Sequence, residues 1–249
     1  MTLSQQPTTR SSRSSLRRAL KIAALVVVIV ILLPYLLTPL YLVVRPVSIP
    51  MLWRYATFQP VTRIYRPLDD IAAVLPRTVI ASEDAQFCNH RGIDWRGLRD
   101  IIQEAEDLED LRGGSTITQQ TAKNLFLWQG RSYVRKALEM PLAVWMDLIL
   151  GKRRIMELYL NVAEWGPTGQ FGAEAGARRA FKQSAADLDA REAALMAAML
   201  PNPRRRDALK PGPAVQRLSG IYQRRANKST LDACLKRAPR VVKGRGQKP

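Results

Sequence analysis

A run of 23 residues without a charged side chain, Ile22 to Val44, constrains this chain more than any other feature. At a rise of about 1.5 Å per residue, a helix of that length spans roughly the ~30 Å hydrocarbon core of a bilayer. Five basic residues and no acidic residue precede it, which predicts a cytoplasmic N-terminus. A cleaved signal peptide is the alternative, but its apolar region is about 7–15 residues long and ends at a small-residue cleavage site. We therefore predict a basic tail at 1–21, a single transmembrane anchor at 22–44 and an extracytoplasmic domain that follows.

The net charge of +18 is concentrated at the two ends of the chain. Residues 203–249 carry fourteen basic and two acidic side chains, whereas residues 22–202 carry twenty basic and nineteen acidic ones. Such a high basic excess often indicates nucleic-acid binding, but a near-neutral middle behind a membrane anchor fits an anionic membrane surface better. We expect no nucleic-acid partner, and we expect the segment Lys236–Lys248 to lie against lipid headgroups. The last residues, 239–249, have the composition of a disordered tail.

Residues 45–238 are predicted to form one mostly α-helical domain. Asp94 is a candidate N-cap for a helix whose apolar residues repeat at helical spacing up to Leu111. Two capping boxes, Thr116 with Gln119 and Asp189 with Glu192, each predict the start of a further helix.

The later helices follow from the same signals. A helix that is kinked or interrupted at Pro141 is predicted from Ser132 to about Leu150. Lys152–Asn161 is predicted to form another helix, with one apolar stripe. Ala214 to about Ala238 is predicted to form the final helix, with apolar residues at helical spacing as far as Ala226. The only candidate strand is Pro60–Tyr65.

The apolar segment Val47–Phe58, which contains Trp53 and Tyr55, has two readings. It can rest on the bilayer interface, where Trp and Tyr are favoured, or it can pack against the domain core.

Cysteine and histidine usage excludes several classes of site. Cys88 and Cys234 are the only cysteines, and an oxidising compartment would permit a disulfide, but the sequence leaves their pairing open. With one histidine and no C-x-x-C or H-E-x-x-H motif, a zinc site is disfavoured. The S-x-x-K and K-T-G motifs of penicillin-binding enzymes are absent as well.

The segment Gly113–Asn124, with the sequence GGSTITQQTAKN, carries the strongest functional signal. Its glycine pair lets the backbone approach a ligand, and Lys123 follows Ser115 by about two helical turns. The cations Lys123, Arg131 and Lys136 lie close together, with no acidic residue between Gly113 and Arg135. Positioned Lys and Arg side chains stabilise a departing diphosphate. The spacing is not that of a nucleotide-binding P-loop.

Two glutamates are candidates for acid–base chemistry. Glu83, Phe87 and His90 share one helix face if that helix continues, and Phe87 would then raise the carboxylate pKa by desolvation. Glu139 follows Arg135 and Lys136 by one turn, either as an ordinary surface ion pair or as a charged wall beside a polyanionic substrate. Glycosyl transfer needs one group to deprotonate the attacking hydroxyl and others to stabilise the leaving group.

Over roughly residues 60–230, the chain strongly resembles family 51 glycosyltransferases, which polymerise peptidoglycan glycan chains. The matching motifs are Glu83-Asp84 with Phe87, His90, Gly92 and Asp94; Gly113–Gln120 with Lys123 and Asn124; Arg135-Lys136 with Glu139; and Lys152 through Asn161. The segments Phe171-Gly172 to Phe181 and Leu200–Pro203 look like later family elements. The resemblance is closest to members without a transpeptidase domain.

The resemblance implies a lysozyme-like helical glycosyltransferase domain behind one transmembrane helix. It implies that Glu83 is the base, that Glu139 assists across the cleft, and that Ser115, Lys123 and Arg131 bind the donor diphosphate. The other expected substrate contacts are Asp84, Phe87, Thr116, Gln120, Asn124 and Lys136. Glu157 is interpreted as structural, because its neighbours Ile155, Leu158 and Tyr159 are committed to packing.

The implied reaction joins lipid II to a growing lipid-linked glycan chain through β-1,4 links and releases undecaprenyl diphosphate. A divalent cation, Mg²⁺ or Mn²⁺, is a candidate cofactor, and no organic cofactor is expected. The implied location is the inner membrane with a periplasmic catalytic domain, and cell-wall synthesis or division proteins are candidate partners.

Two other classes remain in competition. A lytic enzyme on the same scaffold would cut glycan strands, but it would have no phosphate for Lys123 to bind. A non-enzymatic envelope scaffold, or a nucleic-acid-binding protein using the basic tail, would leave four polar motifs without a purpose.

Overall fold

The structure, a computed structural model, describes residues 10–104, 114–130, 132–227 and 230–236. Gly113, Arg131 and most of the basic tail lie outside the described residues, so the predictions made for them stay predictions.

The apolar segment forms a long exposed helix. Helix α1 runs over Arg10–Leu37, and a 3₁₀ helix continues it over Thr38–Leu42. Within the span Ser15–Leu42, the most apolar 18 residues have a mean hydropathy of 2.8, and none of this stretch is covered by protein. A core helix of a soluble domain would be covered, so the exposed surface fits a helix that lies in lipid. The helix begins before Ile22 because the basic segment continues it toward the N-terminus.

The end of the anchor is fastened to the domain by hydrogen bonds. Trp145 Nε1 donates to the carbonyl of Tyr35 (3.1 Å), and the Arg154 guanidinium donates to the carbonyls of Tyr41 and Val44 (both 2.7 Å). These bonds satisfy backbone carbonyls at the end of a helical segment, where cations are also favoured.

Helix α2, Ile49–Ala56, begins at Ser48, whose hydroxyl accepts from Met51 N (3.4 Å). Both readings of this segment hold in part, because Met51 is fully buried whereas Trp53 and Phe58 are exposed.

Strand β1, Thr62–Arg63, pairs in parallel with β2, Gln170–Phe171, and these two strands form the only sheet in the described parts of the chain. The predicted strand Pro60–Tyr65 is thus confirmed as a shorter one.

The remaining helices form the body of the domain. They are α3 Val74–Glu83, α4 Trp95–Glu104, α5 Ile117–Phe126, α6 Tyr133–Val162, α7 Ala173–Phe181, α8 Ala190–Met199 and α9 Pro213–Ala226, with 3₁₀ helices at Leu68–Asp70 and Ala233–Leu235. Both predicted capping boxes are present, at the starts of α5 and α8. Asp94 Oδ1 accepts from Gly97 N (3.0 Å), which confirms it as the cap of α4.

Helix α6 passes through Pro141, so an interruption at that residue is wrong. The break at Gly151 lies between the two predicted helices, Ser132 to about Leu150 and Lys152–Asn161, and confirms that boundary. Gly151 has φ 69° and ψ 165°, a conformation that glycine adopts without the penalty of a Cβ atom. The part of α6 after this break buries the predicted stripe of Ile155, Leu158, Tyr159 and Val162.

The helices pack as two groups. Helix α5 lies along α6, whereas α3, α8 and α9 pack on one another. Trp165, Tyr159, Phe87 and Phe171 are the bulkiest side chains of the buried core. Hydrogen bonds from Ile117 and Gln120 on α5 reach the end of α3, whose last residue is Glu83.

Cys88 and Cys234 form a disulfide, which answers the question that the sequence left open. Their Cα atoms are 5.4 Å apart although 146 residues separate them in sequence. The bond joins the turn that follows Glu83 to the 3₁₀ helix Ala233–Leu235, so the C-terminal end of the domain is tied close to the end of α3.

Candidate active site

Glu83 is half-buried at the end of α3, and its Oε2 accepts a hydrogen bond from Gln120 Nε2 (3.0 Å). Burial raises the pKa of Glu83, while the bond from Gln120 and the charges of Lys123 and Arg206 lower it. The net shift is upward. A carboxylate with a raised pKa is a better proton acceptor than a solvated one, as a general base requires.

Asp84 ends α3 and clamps the start of α5. Its backbone (φ −162°, ψ 75°) leaves the helical region, and its Oδ2 accepts from Ile117 N (3.0 Å). Both carboxylate oxygens also lie 3.0 Å from His90 Nε2. A negative charge at a helix N-terminus is favoured. The predicted shared helix face of Glu83, Phe87 and His90 is therefore wrong, because the chain turns at Asp84.

Three residues predicted to contact substrate have almost no exposed surface. Phe87 is 0% exposed, Thr116 is 3% exposed and Asp84 is 8% exposed. Because substrate contact requires accessible atoms, these residues support the site instead of touching its ligand. Phe87 packs in the core, and the Thr116 hydroxyl donates to the carbonyl of Gly92 (2.6 Å).

The loop that follows Glu83 packs closely against α6 at Gly92. The φ of this glycine is +80°, and a Cβ atom there would lie 2.6 Å from the carbonyl oxygen of Ala143 on α6. Only glycine fits such a close approach. The loop after Glu83 is thus pressed between α5 and α6.

Gln120 links Glu83 to the core. Its Nε2 donates to Glu83, and its Oε1 accepts from the hydroxyl of Tyr159 (3.1 Å). Tyr159 is 1% exposed, and burial raises its pKa well above the ordinary value, so it is a neutral donor. The sequence predicted Gln120 as a site residue but took Tyr159 only as a packing residue.

Glu139 is the centre of a buried ion cluster and not a surface ion pair. It is 1% exposed, and its two oxygens accept from Arg135 Nη1 and from Lys136 Nζ (2.9 Å). Lys136 Nζ also donates to Ser115 Oγ (2.8 Å). Lys136 therefore ties the glycine-rich segment to α6, which brings together three residues that the sequence predicted for the site.

Lys123 lies in the electrostatic field of both glutamates. Burial lowers its pKa, as do the charges of Arg135 and Lys136, while Glu139 and Glu83 raise it. Its ammonium forms no hydrogen bond or ion pair with another described residue. A cation in this position has the capacity to bind an anion that enters the cleft.

Lys123 also lines a cavity of about 280 Å³. Gln120, Asn124 and Tyr159 contribute to one side of it, and the turn from Leu200 to Arg204 forms another side. The late segment Leu200–Pro203, noted in the sequence as a family-like element, is therefore a wall of this cavity. Of the predicted substrate contacts, Gln120, Lys123 and Asn124 line this cavity.

Two residues near Glu83 had no signal in the sequence. Arg206, which follows the Leu200–Pro203 turn, is half-buried, and its Nη1 donates to the carbonyl of Ala198 (2.9 Å). Tyr222 on α9 also lies within electrostatic range of Glu83. Both lie more than a hundred residues from Glu83, so only the packing of α3 against α8 and α9 places them there.

Glu157 is structural, as interpreted from the sequence. Its oxygens accept from the Tyr65 hydroxyl (2.7 Å), from Leu68 N (2.9 Å) and from Arg154. These bonds hold the segment after β1 to α6, away from Glu83.

The described residues contain no group of three His, Cys, Asp or Glu side chains that could hold a metal ion. Glu139 already binds two cations and Asp84 is paired with His90. The Mg²⁺ or Mn²⁺ cofactor expected from the sequence stays a prediction.

Comparison with known proteins gives one consistent match. The family model described as "Transglycosylase" matches residues 53–226. A protein of Nitrobacter winogradskyi is 60% identical over 219 residues, covering 88% of this chain and 97% of the relative. A protein of Agrobacterium fabrum is 52% identical over 201 residues, covering 80% of this chain and 88% of the relative. Both relatives are named "Biosynthetic peptidoglycan transglycosylase".

Proposed function

The chain belongs to the transglycosylase family and is a peptidoglycan glycosyltransferase, and from this premise we propose that it extends a lipid-diphosphate-linked glycan chain by inverting transfer onto lipid II. The domain is mostly α and lysozyme-like, as in the family, and it follows one apolar helix. This architecture agrees with the fold expected from the sequence. The apolar helix fits a single-pass anchor, and we propose that the domain is periplasmic.

The observation that carries the proposal is the state of Lys123. Lys123 lines the cavity and lies within electrostatic range of Arg135 and Lys136, and those two cations already bind the nearby carboxylate of Glu139. Burial and like charge lower the pKa of Lys123 more than Glu139 and Glu83 raise it, so its charged form is only partly compensated in the free protein. A diphosphate would supply this compensation, and a neutral glycan would not.

In the proposed reaction, the GlcNAc 4-hydroxyl of lipid II is the acceptor, and its proton passes to Glu83. The hydroxyl oxygen forms a bond to C1 of the MurNAc at the reducing end of the growing chain. The bond from C1 to the diphosphate oxygen breaks, and undecaprenyl diphosphate leaves with the electron pair. Attack on the face opposite the leaving group inverts C1 and gives the β-1,4 link.

The leaving group departs toward the cations. Lys123 is available for direct contact, whereas Lys136 and Arg135 are held by Glu139 and maintain the positive field around it. We therefore assign Glu139 the task of positioning this cluster. Arg131 remains a predicted diphosphate contact.

The test is polymerisation of labelled lipid II by the purified full chain, scored as glycan polymer. We expect Lys123→Gln to slow turnover by roughly 10- to 100-fold, which corresponds to the loss of one charge-assisted contact of about 1.5–3 kcal/mol. Lys210→Gln, which removes an exposed cation outside the cavity, serves as the matched control.

A lytic enzyme would give a different result. It would release fragments from finished peptidoglycan and form no polymer from lipid II, and Lys123→Gln would not affect it. That outcome would contradict the proposed transfer reaction.

A further inference from the structure

The hydrogen bonds around Gln120 determine which end of its amide faces Glu83. Gln120 Nε2 lies 3.0 Å from Glu83 Oε2 and 3.5 Å from the carbonyl oxygen of Ser115. A carbonyl can only accept, so the NH₂ group must point to this side. The amide oxygen then points to Tyr159, whose hydroxyl donates to it (3.1 Å).

The opposite amide orientation would be unfavourable here. It would place the amide oxygen 3.0 Å from Glu83 Oε2 and against the Ser115 carbonyl, with acceptors facing acceptors. Only a protonated Glu83 could donate to an amide oxygen in that place. The observed orientation is compatible with the ionised carboxylate, which is the form a base needs before the reaction.

Tyr159 is well placed to hold this arrangement. It is 1% exposed and lies on the part of α6 that follows the break at Gly151. Gln120 is the only described residue with which its hydroxyl forms a hydrogen bond. Glu83 Oε1 forms no hydrogen bond with another described residue, so it is free to meet an acceptor hydroxyl.

We propose that Tyr159 is a positioning residue, whose hydroxyl holds the Gln120 amide so that its NH₂ group fixes Glu83 Oε2 and leaves Oε1 to take the acceptor's proton. This inference rests on the proposed role of Glu83 as the base. Tyr159 reaches the reacting atoms only through Gln120.

The other groups that face Glu83 are Lys123 on α5, Arg206 after α8, Tyr222 on α9 and the adjacent Asp84. None of them forms a hydrogen bond with Gln120 among the described residues. Removal of the Tyr159 hydroxyl therefore leaves their charges in place and changes only the hold on the amide.

The first experiment compares Tyr159→Phe with the unmodified chain on lipid II. Because the bond from Gln120 lowers the pKa of Glu83, loosening it should raise that pKa. We expect kcat to fall about three- to tenfold near neutral pH, with KM within about twofold, and the acidic limb of the pH–kcat profile to move up by roughly half to one unit.

Tyr65→Phe is the matched control, because it removes a comparable tyrosine hydroxyl that donates to Glu157 instead. We expect it to lower thermal stability but to leave the acidic limb unchanged. A shift of the same size in both variants would mean that Tyr159 acts only through general stability and would overturn the inference.

A double-mutant cycle gives a second test. If Tyr159 acts through Gln120, adding Tyr159→Phe to Gln120→Ala should change kcat by less than about twofold. Independent, additive losses would overturn the proposal. A titration of the ¹³C-labelled carboxyl of Glu83, assigned by its loss in Glu83→Gln, should show the upward pKa shift in Tyr159→Phe without any need for turnover.

The two proposals fail in different ways. If Glu83→Gln keeps activity within a few-fold of the unmodified chain, the base assignment fails and this inference fails with it. If Glu83→Gln is inactive while Tyr159→Phe keeps the original pH profile, only the role of Tyr159 is overturned.

Discussion

At the scale of single residues, the site sets the pKa of one carboxylate by opposing influences. Burial disfavours the charged form of Glu83, whereas one amide donor and two cations, Lys123 and Arg206, favour it. Glu139 differs because it is fully enclosed by Arg135 and Lys136. Two glutamates with such different surroundings fit the different tasks proposed for them, one in proton transfer and one in holding cations.

The first prediction concerns the cost of an ionised, partly buried Glu83. Glu83→Gln should reduce polymerisation by at least about 100-fold, the usual contribution of a general base. It should also make the domain more stable near neutral pH, because the folded protein no longer has to hold that charge. Since the folded pKa lies above the ordinary 4.5, wild-type stability is lost as pH rises from about 4.5 through the folded value.

The check is Tm against pH for both chains. The gain in Tm should be close to zero at pH 4 and should grow toward pH 7. Glu157→Gln should show the opposite sign near neutral pH, because it weakens the ion pair with Arg154. A Glu83→Gln variant that is less stable than wild type at pH 7 would contradict the argument.

At the scale of elements, the starts of helices were predictable because their causes are local. Thr116 and Gln119 lie three residues apart, and the capping box needs nothing beyond that segment. The end of α3 was not predictable, because Asp84 leaves the helix to bind Ile117, 33 residues later. The boundary at Gly151 between the two predicted helices is confirmed, whereas the interruption predicted at Pro141 is wrong because the strong local signal of proline does not end the helix there.

The same distinction between local and distant causes explains which of the residues around the candidate site were predicted from the sequence. Ser115, Gln120, Lys123, Lys136 and Glu139 belong to contiguous polar motifs, so the family resemblance identified them. Arg206 and Tyr222 reach Glu83 only because α3 packs against α8 and α9, and nothing local marks them. Asp84, Phe87 and Thr116 belong to the same motifs as the contacts, and only their burial separates support from contact.

The second prediction concerns Glu174, which holds the first turn of α7 in place. Its side chain is fully buried and accepts from Ala185 N (2.8 Å), Ser184 Oγ (3.0 Å), Arg66 Nη2 (3.1 Å) and Arg178 Nε (2.6 Å). Burial alone would raise its pKa, but these donors lower it to about 2. We expect Glu174→Gln to lose about 3 kcal/mol of stability at pH 7.

The pH dependence of the stability lost in Glu174→Gln distinguishes the loss of a charged group from a packing effect. A depressed folded pKa gives stability that is present above the ordinary 4.5 and lost as pH falls toward 2, so the difference between the chains should shrink by pH 3. Glu192→Gln should be nearly neutral, because glutamine also serves in the capping box at Asp189. A pH-independent loss in Glu174→Gln would contradict the assignment. Denaturant unfolding at pH 7 and pH 3 provides the measurement.

At the scale of the whole molecule, the disulfide closes a loop that contains most of the domain. The double variant Cys88→Ser, Cys234→Ser should be less stable by about 2–5 kcal/mol, the usual range for a native disulfide and consistent with a long closed loop. The midpoint of denaturant unfolding measures the loss. A reductant should lower the midpoint of the wild type toward that of the variant and leave the variant unchanged. Equal midpoints under oxidising conditions would show that the bond adds no stability.

The last prediction concerns the distance between the membrane and the cleft. The carbonyls of Tyr35, Tyr41 and Val44 accept hydrogen bonds from Trp145 and Arg154 on α6, the same helix that carries Glu139 and Tyr159. The anchor is therefore docked on the catalytic helix and not joined to it by a free linker, so the cleft keeps a fixed height above the bilayer. Lipid II is confined to that bilayer, and a tether that matches the required span maximises the effective concentration of substrate.

A flexible Gly-Ser insertion between Leu42 and Val43 separates Val44 from the carbonyls of Tyr35 and Tyr41, so it should loosen this docking while leaving the site itself intact. We expect polymerisation of lipid II in vesicles to fall several-fold, because the effective concentration drops as a flexible tether lengthens. In detergent, where anchor and substrate no longer share a membrane plane, the rate should stay within about twofold of the original chain. Rigid insertion of the same length into the basic segment before Ser15 is the control, and it should change neither rate. Equal vesicle rates for the flexible insertion and the original chain would show that docking of the anchor on α6 does not set the position of the cleft.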